Sequence, residues 1–136
     1  MHYRLALCFL LLPLIAGCQT PFLVFPGEAL QGMVEQTKSF AFASRYSLMQ
    51  LETCAPKPYS VFLRVTVIEE SLYIDASPKR RWAKYLVASP KVRVRLGKLI
   101  YPAIAVLIDN PSISERFISG RQIYELVPSA DMHSCR

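Results

Sequence analysis

Histidine is scarce in this 136-residue chain: it occurs only at His2 and His133. That scarcity disfavours an imidazole-based zinc centre and a Ser/His/Asp triad, which both need histidine beside other ligands or a nucleophile. Glycine is scarce too, with five residues and no glycine-rich phosphate-cradling loop. Acidic residues are missing entirely between Asp75 and Asp109. The apolar run from Leu5 to Ile15 is too short to cross a bilayer as an ordinary helix. These absences leave a poor side-chain inventory for catalysis, and they point to basic residues as the chemistry on offer.

What is present begins with an export signal. His2 and Arg4 precede the apolar run, and small residues close it at Ile15-Ala16-Gly17-Cys18. The last four residues resemble a bacterial lipobox. That resemblance implies loss of residues 1–17, a lipid on Cys18, and, with Gln19 rather than an aspartate next, export to the outer membrane with the domain facing the periplasm. Residues 18–27 then form a lipidated tether, and residues 28–136 one domain. The tether reaches at most about 30 Å, which keeps the domain near the bilayer. Arg4 leaves with the signal, so sixteen basic residues become fifteen against ten acidic ones, a net charge of +5. Such a balance suits anionic lipid, lipopolysaccharide or a phosphorylated small molecule. Nucleic acid is disfavoured by the compartment rather than by the charge.

With Cys8 removed and Cys18 lipidated, Cys54 and Cys135 remain. In an oxidising compartment this left-over pair is a disulfide candidate, worth on the order of 4 kcal/mol for a loop of about 80 residues. Two unpaired thiols are the other reading.

Along the domain, the spacing of Leu30, Met33, Val34 and Thr37 predicts a helix over residues 28–37. Phe40 and Phe42 alternate with Ala41 and Ala43 as a first strand, and residues 48–54 read as a second. Residues 61–68 form a single β-branched strand, Glu69-Glu70-Ser71 a turn, and residues 72–76 its partner. Ser77 and Pro78 predict a helix start, and Pro90 its end. Val92, Val94 and Leu96 then alternate with Arg93 and Arg95 along a strand, and residues 99–108 form another. A second helix opens at Asn110-Pro111, and a last strand spans residues 122–127. The fold class is mainly β, a six-stranded antiparallel barrel with short helices inserted.

Half of the sixteen Lys and Arg residues lie between Pro78 and Lys98. Lys79, Arg80 and Arg81 stand at the predicted helix start, where the macrodipole is already positive, so an anion on the free N–H groups would relieve them. Lys84, Arg93 and Arg95 extend this set into a basic face, with Lys91, Arg93 and Arg95 reading as the solvent side of one strand. Trp82 reads either as core or as a ring-stacking surface.

Trp82, Leu86, Ser89-Pro90, Val92, Val94 and Gly97 together resemble the flavin-binding split barrel of pyridoxamine phosphate oxidase-like proteins. The nearest subgroup is the deazaflavin-dependent nitroreductase family. The resemblance implies the split-barrel fold, a flavin mononucleotide or deazaflavin phosphate held by basic residues at the helix start, and a homodimer. Two departures stand beside it: Ser89 replaces the family's asparagine, and residues 54–60 lack its Gly-Arg-Lys/Arg-x-Gly segment. The expectation is therefore an outer-membrane lipoprotein acting as a non-catalytic binding or envelope-interaction module without a cofactor. A flavin- or deazaflavin-dependent reductase is the alternative.

Overall fold

The structure is a computed structural model and describes residues 25–135. The signal segment, Cys18 and most of the tether lie outside the described residues. In chain order the elements are β1 (Met33–Val34), a 3₁₀ helix (Ala41–Arg45), β2 (Leu48–Thr53), β3 (Tyr59–Arg64), β4 (Thr66–Ile68) and β5 (Ser71–Ala76). They continue with α1 (Arg81–Ala88), β6 (Lys91–Leu96), β7 (Leu99–Leu107), α2 (Pro111–Ser114) and β8 (Gln122–Pro128). One sheet runs β3-β2-β6-β7-β8-β5-β4, antiparallel throughout, and β1 adds in parallel to Leu99 and Ile100 of β7.

The two ends of that order are neighbours in sequence. β3 stops at Arg64 and β4 starts at Thr66, so the sheet curls until one run of chain serves both edges. The break is Val65, whose N–H bonds the Ser47 carbonyl at 3.1 Å, one pair beyond the end of the β2–β3 register. Glu69 and Glu70, both at positive φ (48° and 70°), make the tight turn that returns β4 into β5.

Alternation then sorts the side chains. Leu51, Leu72, Ile74, Val92, Val94, Leu96, Tyr101 and Leu126 fill the barrel interior with Phe40 and with Trp82 and Leu86 of α1. A smaller cluster of Ile68, Tyr73, Ile113 and Ile123 packs α2 on the outside.

Several expectations are corrected. The sheet has eight strands rather than six, because residues 61–68 form two strands and β1 joins the array. The helix expected over residues 28–37 is instead an extended strap across the outer face of β3, β2, β6 and β7. Gly27 N–H bonds Ser60 O at 2.7 Å, Leu30 engages β2 and β6, and Glu35 N–H reaches Ile100 O at 2.8 Å. A ten-residue helix is marginal by itself, and here the sheet recruits its backbone groups. Gly32 completes the departure: its φ is +144°, and a Cβ on it would stand 3.4 Å from Arg95 Nη2.

The strand expected at Phe40 is the 3₁₀ helix. Phe40 and Ala43, three residues apart, are both buried, and Ala43 N–H bonds Phe40 O at 2.9 Å. The alternation of Phe40 and Phe42 is thus incidental. Helix α1 begins at Arg81, because Ser77 to Arg80 close a turn first, with Arg80 N–H on Ser77 O at 2.9 Å.

The C-terminal tail folds back over the strand ends. Ser129 N–H bonds Pro102 O at 3.0 Å, and His133 Nε2–H donates to Val92 O at 2.9 Å. Cys135 is joined to Cys54 in a disulfide, with Cα atoms 4.4 Å apart.

Candidate functional site

A cleft of about 640 Å³ opens where β3, the end of β5, the start of α1 and the entry to β8 converge. Its charged lining is Arg80, Arg81, Arg121 and Asp75, and its aromatic lining includes Tyr59, Phe62 and Trp82.

Each charged group is set by an element end. Asp75 is the penultimate residue of β5, and the β5–β8 register puts Ala76 opposite Gln122, so Arg121 arrives beside it. Their side chains meet at 2.9 Å. Both are about one-third exposed, so the pair contributes at most about 1 kcal/mol. Its consequence is positional: the Arg121 guanidinium is held at the cleft. Arg81 lies 5.7 Å from the Tyr59 ring centroid, and Tyr59 meets Tyr85 edge-on at 5.7 Å. These contacts fasten the first two turns of α1 to β3.

The first rung of the α1 ladder is Lys84 N–H to Arg80 O at 3.3 Å, so the N–H groups of Arg81, Trp82 and Ala83 precede it. No side chain caps this end, and no acid lies in the first turn. Among the described residues, the only carboxylate lining the cleft is Asp75, which Arg121 already holds. The cleft is therefore electropositive, and its chemistry is anion capture. Among the described residues no group of His, Cys, Asp and Glu side chains is arranged to hold a metal ion.

Of the residues singled out in the sequence, Arg80, Arg81 and Trp82 line the cleft. Lys79 and Lys84 are exposed beside it, outside its lining. Trp82 is 7% exposed and packs in the barrel core, so its ring is largely taken up by packing.

Arg93 and Arg95 are elsewhere, and the solvent-facing ladder expected of them does not exist. Arg95 is 2% exposed, and the Arg93 side chain lies under the strap in an ion pair with Glu52 at 2.6 Å. Arg93 Nη2 also donates to Leu30 O at 2.9 Å, and Arg95 donates to Gln31 O. Only Lys91 of the three keeps an exposed head, near Asp131 at 3.5 Å. The apolar side of the strand is as expected; the other side is covered by chain from 63 and 64 residues earlier in sequence, at Leu30 and Gln31.

Sequence reasoning missed Arg121, Asp75 and Tyr59. The first two become partners only through the β5–β8 pairing, which no local pattern announces. Tyr59 stands in the segment where the resembled family carries its cofactor-binding run, and that position was its one signal.

A group with a phosphate suits this cleft: Arg80, Arg81 and the leading N–H groups of α1 would take the phosphate, and Tyr59 borders space for a ring. A flavin bound there would supply the electron transfer that the side chains do not.

No family model matches the chain, and no curated protein matches it significantly. Solved structures do. A Listeria innocua protein provisionally assigned as a pyridoxamine 5′-phosphate oxidase is 17% identical, with a TM-score of 0.57 over 65% of this chain and 88% of that one. A conserved hypothetical protein of Mycobacterium tuberculosis is 14% identical, with a TM-score of 0.55 over 74% and 85%. HutZ, the heme storage protein of Vibrio cholerae, is 16% identical, with a TM-score of 0.51 over 66% and 87%. At these identities the likeness concerns architecture alone. The chain has the split-barrel fold of the pyridoxamine 5′-phosphate oxidase-like proteins.

Proposed function

We propose that this protein is an outer-membrane lipoprotein, anchored through Cys18, whose split-barrel domain binds a phosphate-bearing ligand in the cleft at the start of α1 and acts as a binding module rather than a catalyst. The observation that carries the ligand reading is the convergence of Arg80, Arg81 and Arg121 on a cleft whose single carboxylate, Asp75, is already paired. With Arg93 and Arg95 covered by the strap, the sequence-predicted basic set keeps only Lys79, Arg80, Arg81 and Lys84 outside, and two of these line the cleft, which favours a discrete anion over a diffuse basic face. The anchor reading rests on the lipobox-like Ile15-Ala16-Gly17-Cys18. It also fits the chain path, because Pro26, eight residues after Cys18, lines the cleft and would hold it within about 30 Å of a bilayer surface.

The test of the ligand reading is calorimetric titration with inorganic pyrophosphate, using the protein as purified and an Arg80→Glu/Arg81→Glu variant. Binding weakened about tenfold or more by the double charge reversal is expected. Equal binding by both proteins refutes the reading. The anchor is tested by the mass of the N-terminal peptide, which should begin at Cys18 and carry lipid. An intact N-terminus at Met1 refutes it.

The second reading is a flavin-dependent reductase, and the split-barrel fold is the observation that favours it. It requires the protein to retain flavin mononucleotide, seen as visible absorbance after gel filtration, and to bind it more tightly than riboflavin, which lacks the phosphate. Protein that stays colourless after incubation with flavin mononucleotide excludes it.

A further inference from the structure

A second cavity, of about 370 Å³, shares Phe62 with the cleft and is lined also by Arg45, Tyr46, Leu48, Met49 and Arg95. Nothing in the proposed function uses it. Its size falls at the small end of the range for small-molecule sites.

Arg95 is the unusual member. It is a buried cation, and among the described residues it has no carboxylate partner, since Glu52 is taken by Arg93 and by Leu30 N–H. Its acceptors are neutral: the Gln31 carbonyl and, at a long 3.4 Å, Gln50 Oε1. Its Nε is buried with no hydrogen-bond partner. Burial and then the like charge of Arg93 push its pKa below the ordinary arginine range, with Glu52 only partly opposing. A buried charge without a counterion is costly, and an anion brought to it removes much of that cost. A second cation, the exposed Arg45, lines the same cavity. The rest of the wall is largely apolar, and two of its side chains are unusually exposed for their type, Leu48 at 59% and Phe62 at 37%. Two arginines beside uncovered apolar surface complement a molecule with an acid at one end and a hydrocarbon body.

We propose that this cavity binds a small organic acid, its carboxylate held by Arg95 and Arg45 and its apolar body lying against Leu48 and Phe62.

The test is calorimetric titration of the purified full-length protein with octanoate, below its micelle-forming concentration, and with octanol as the uncharged counterpart. Because an Arg95 variant would also release the strap at Gln31, the variant is Arg45→Gln at the exposed cation. Octanoate should bind at least tenfold more tightly than octanol, and Arg45→Gln should weaken octanoate about tenfold. The Arg95 Nε–H resonance should shift on octanoate addition, and saturating pyrophosphate should leave octanoate bound. Absent binding, equal affinity for octanol, indifference to Arg45→Gln, or an unmoved Arg95 signal each overturns the proposal. Displacement of octanoate by pyrophosphate also overturns it, by assigning the acid to the cleft. Because pyrophosphate binding is measured separately, the cleft reading stands or falls independently.

Discussion

Arg93 and Glu52 face each other across the pairing of β2 with β6, their side chains meeting at 2.6 Å beneath the strap. The same two residues grip the strap at one residue: Glu52 Oε2 accepts from Leu30 N–H at 2.5 Å, and Arg93 Nη2 donates to Leu30 O at 2.9 Å. A pair so buried is satisfied only because a third, distant segment supplies the remaining hydrogen bonds. The strap and the pair therefore stand or fall together.

Removing one partner should be expensive. Glu52 is wholly buried and the Arg93 side chain is 12% exposed, so Glu52→Gln or Arg93→Met leaves an uncompensated charge. The expected loss is about 3–5 kcal/mol in urea unfolding. The double variant Glu52→Gln/Arg93→Met should lose markedly less than the sum of the two. Additive losses would show that the two side chains are not coupled.

Gly32 is the hinge of the strap. An alanine there must adopt a φ near +144° and bring a methyl group to 3.4 Å from Arg95 Nη2. Gly32→Ala should cost about 1–3 kcal/mol, read as a lowered melting temperature. An unchanged melting temperature would mean that the strap takes another path.

The Cys54–Cys135 bond closes a separation of 81 residues. Cys135→Ser should lower stability by about 4 kcal/mol in the chain-entropy picture. Loss of protection in hydrogen exchange should spread to the tail around Ser129, whose N–H bonds Pro102 O. A tail that stays protected without the bond would show that its hydrogen bonds suffice.

High pH should weaken the fold. Burial raises the pKa of Tyr101 and Tyr124 above the usual 10.0; Glu35 and Tyr46 add to the effect at Tyr101, and Arg45 opposes it. Below pH 10 both states keep these protons, and stability is unaffected. Above it the unfolded chain ionises first and binds fewer protons than the folded one, so stability falls as pH rises through the folded pKa values. Urea midpoints measured upward from pH 9 should show this decline, and Tyr124→Phe should flatten it. A Tyr124→Phe profile identical to the parent would exclude that residue from the effect.

At the cleft, Asp75→Asn should release Arg121 from its carboxylate partner. Pyrophosphate binding should become slightly tighter, by about twofold to fivefold, as one negative charge leaves the site. Weaker binding would instead mean that the ion pair is needed to hold Arg121 in position.

Residue patterns alone carried the β-rich class, the strands expected over residues 48–54, 72–76, 91–96, 99–108 and 122–127, each met by a strand of closely similar bounds, and the inward set Val92, Val94 and Leu96. They did so because alternation has a period of two and separates one face of a strand from the other. The same signal says nothing about what lies against each face. It therefore gave Arg93 and Arg95 to solvent, whereas the fold covers them with residues 28–34. The helix expected over those residues failed for a related reason: a spacing of three and four marks an apolar stripe, but hydrogen bonds from the sheet outcompete a short helix's own. Tertiary structure alone also decided that Arg121 and Asp75 complete the cleft begun by Arg80 and Arg81. Local sequence determines which groups alternate; only the closing of the sheet determines which charges meet.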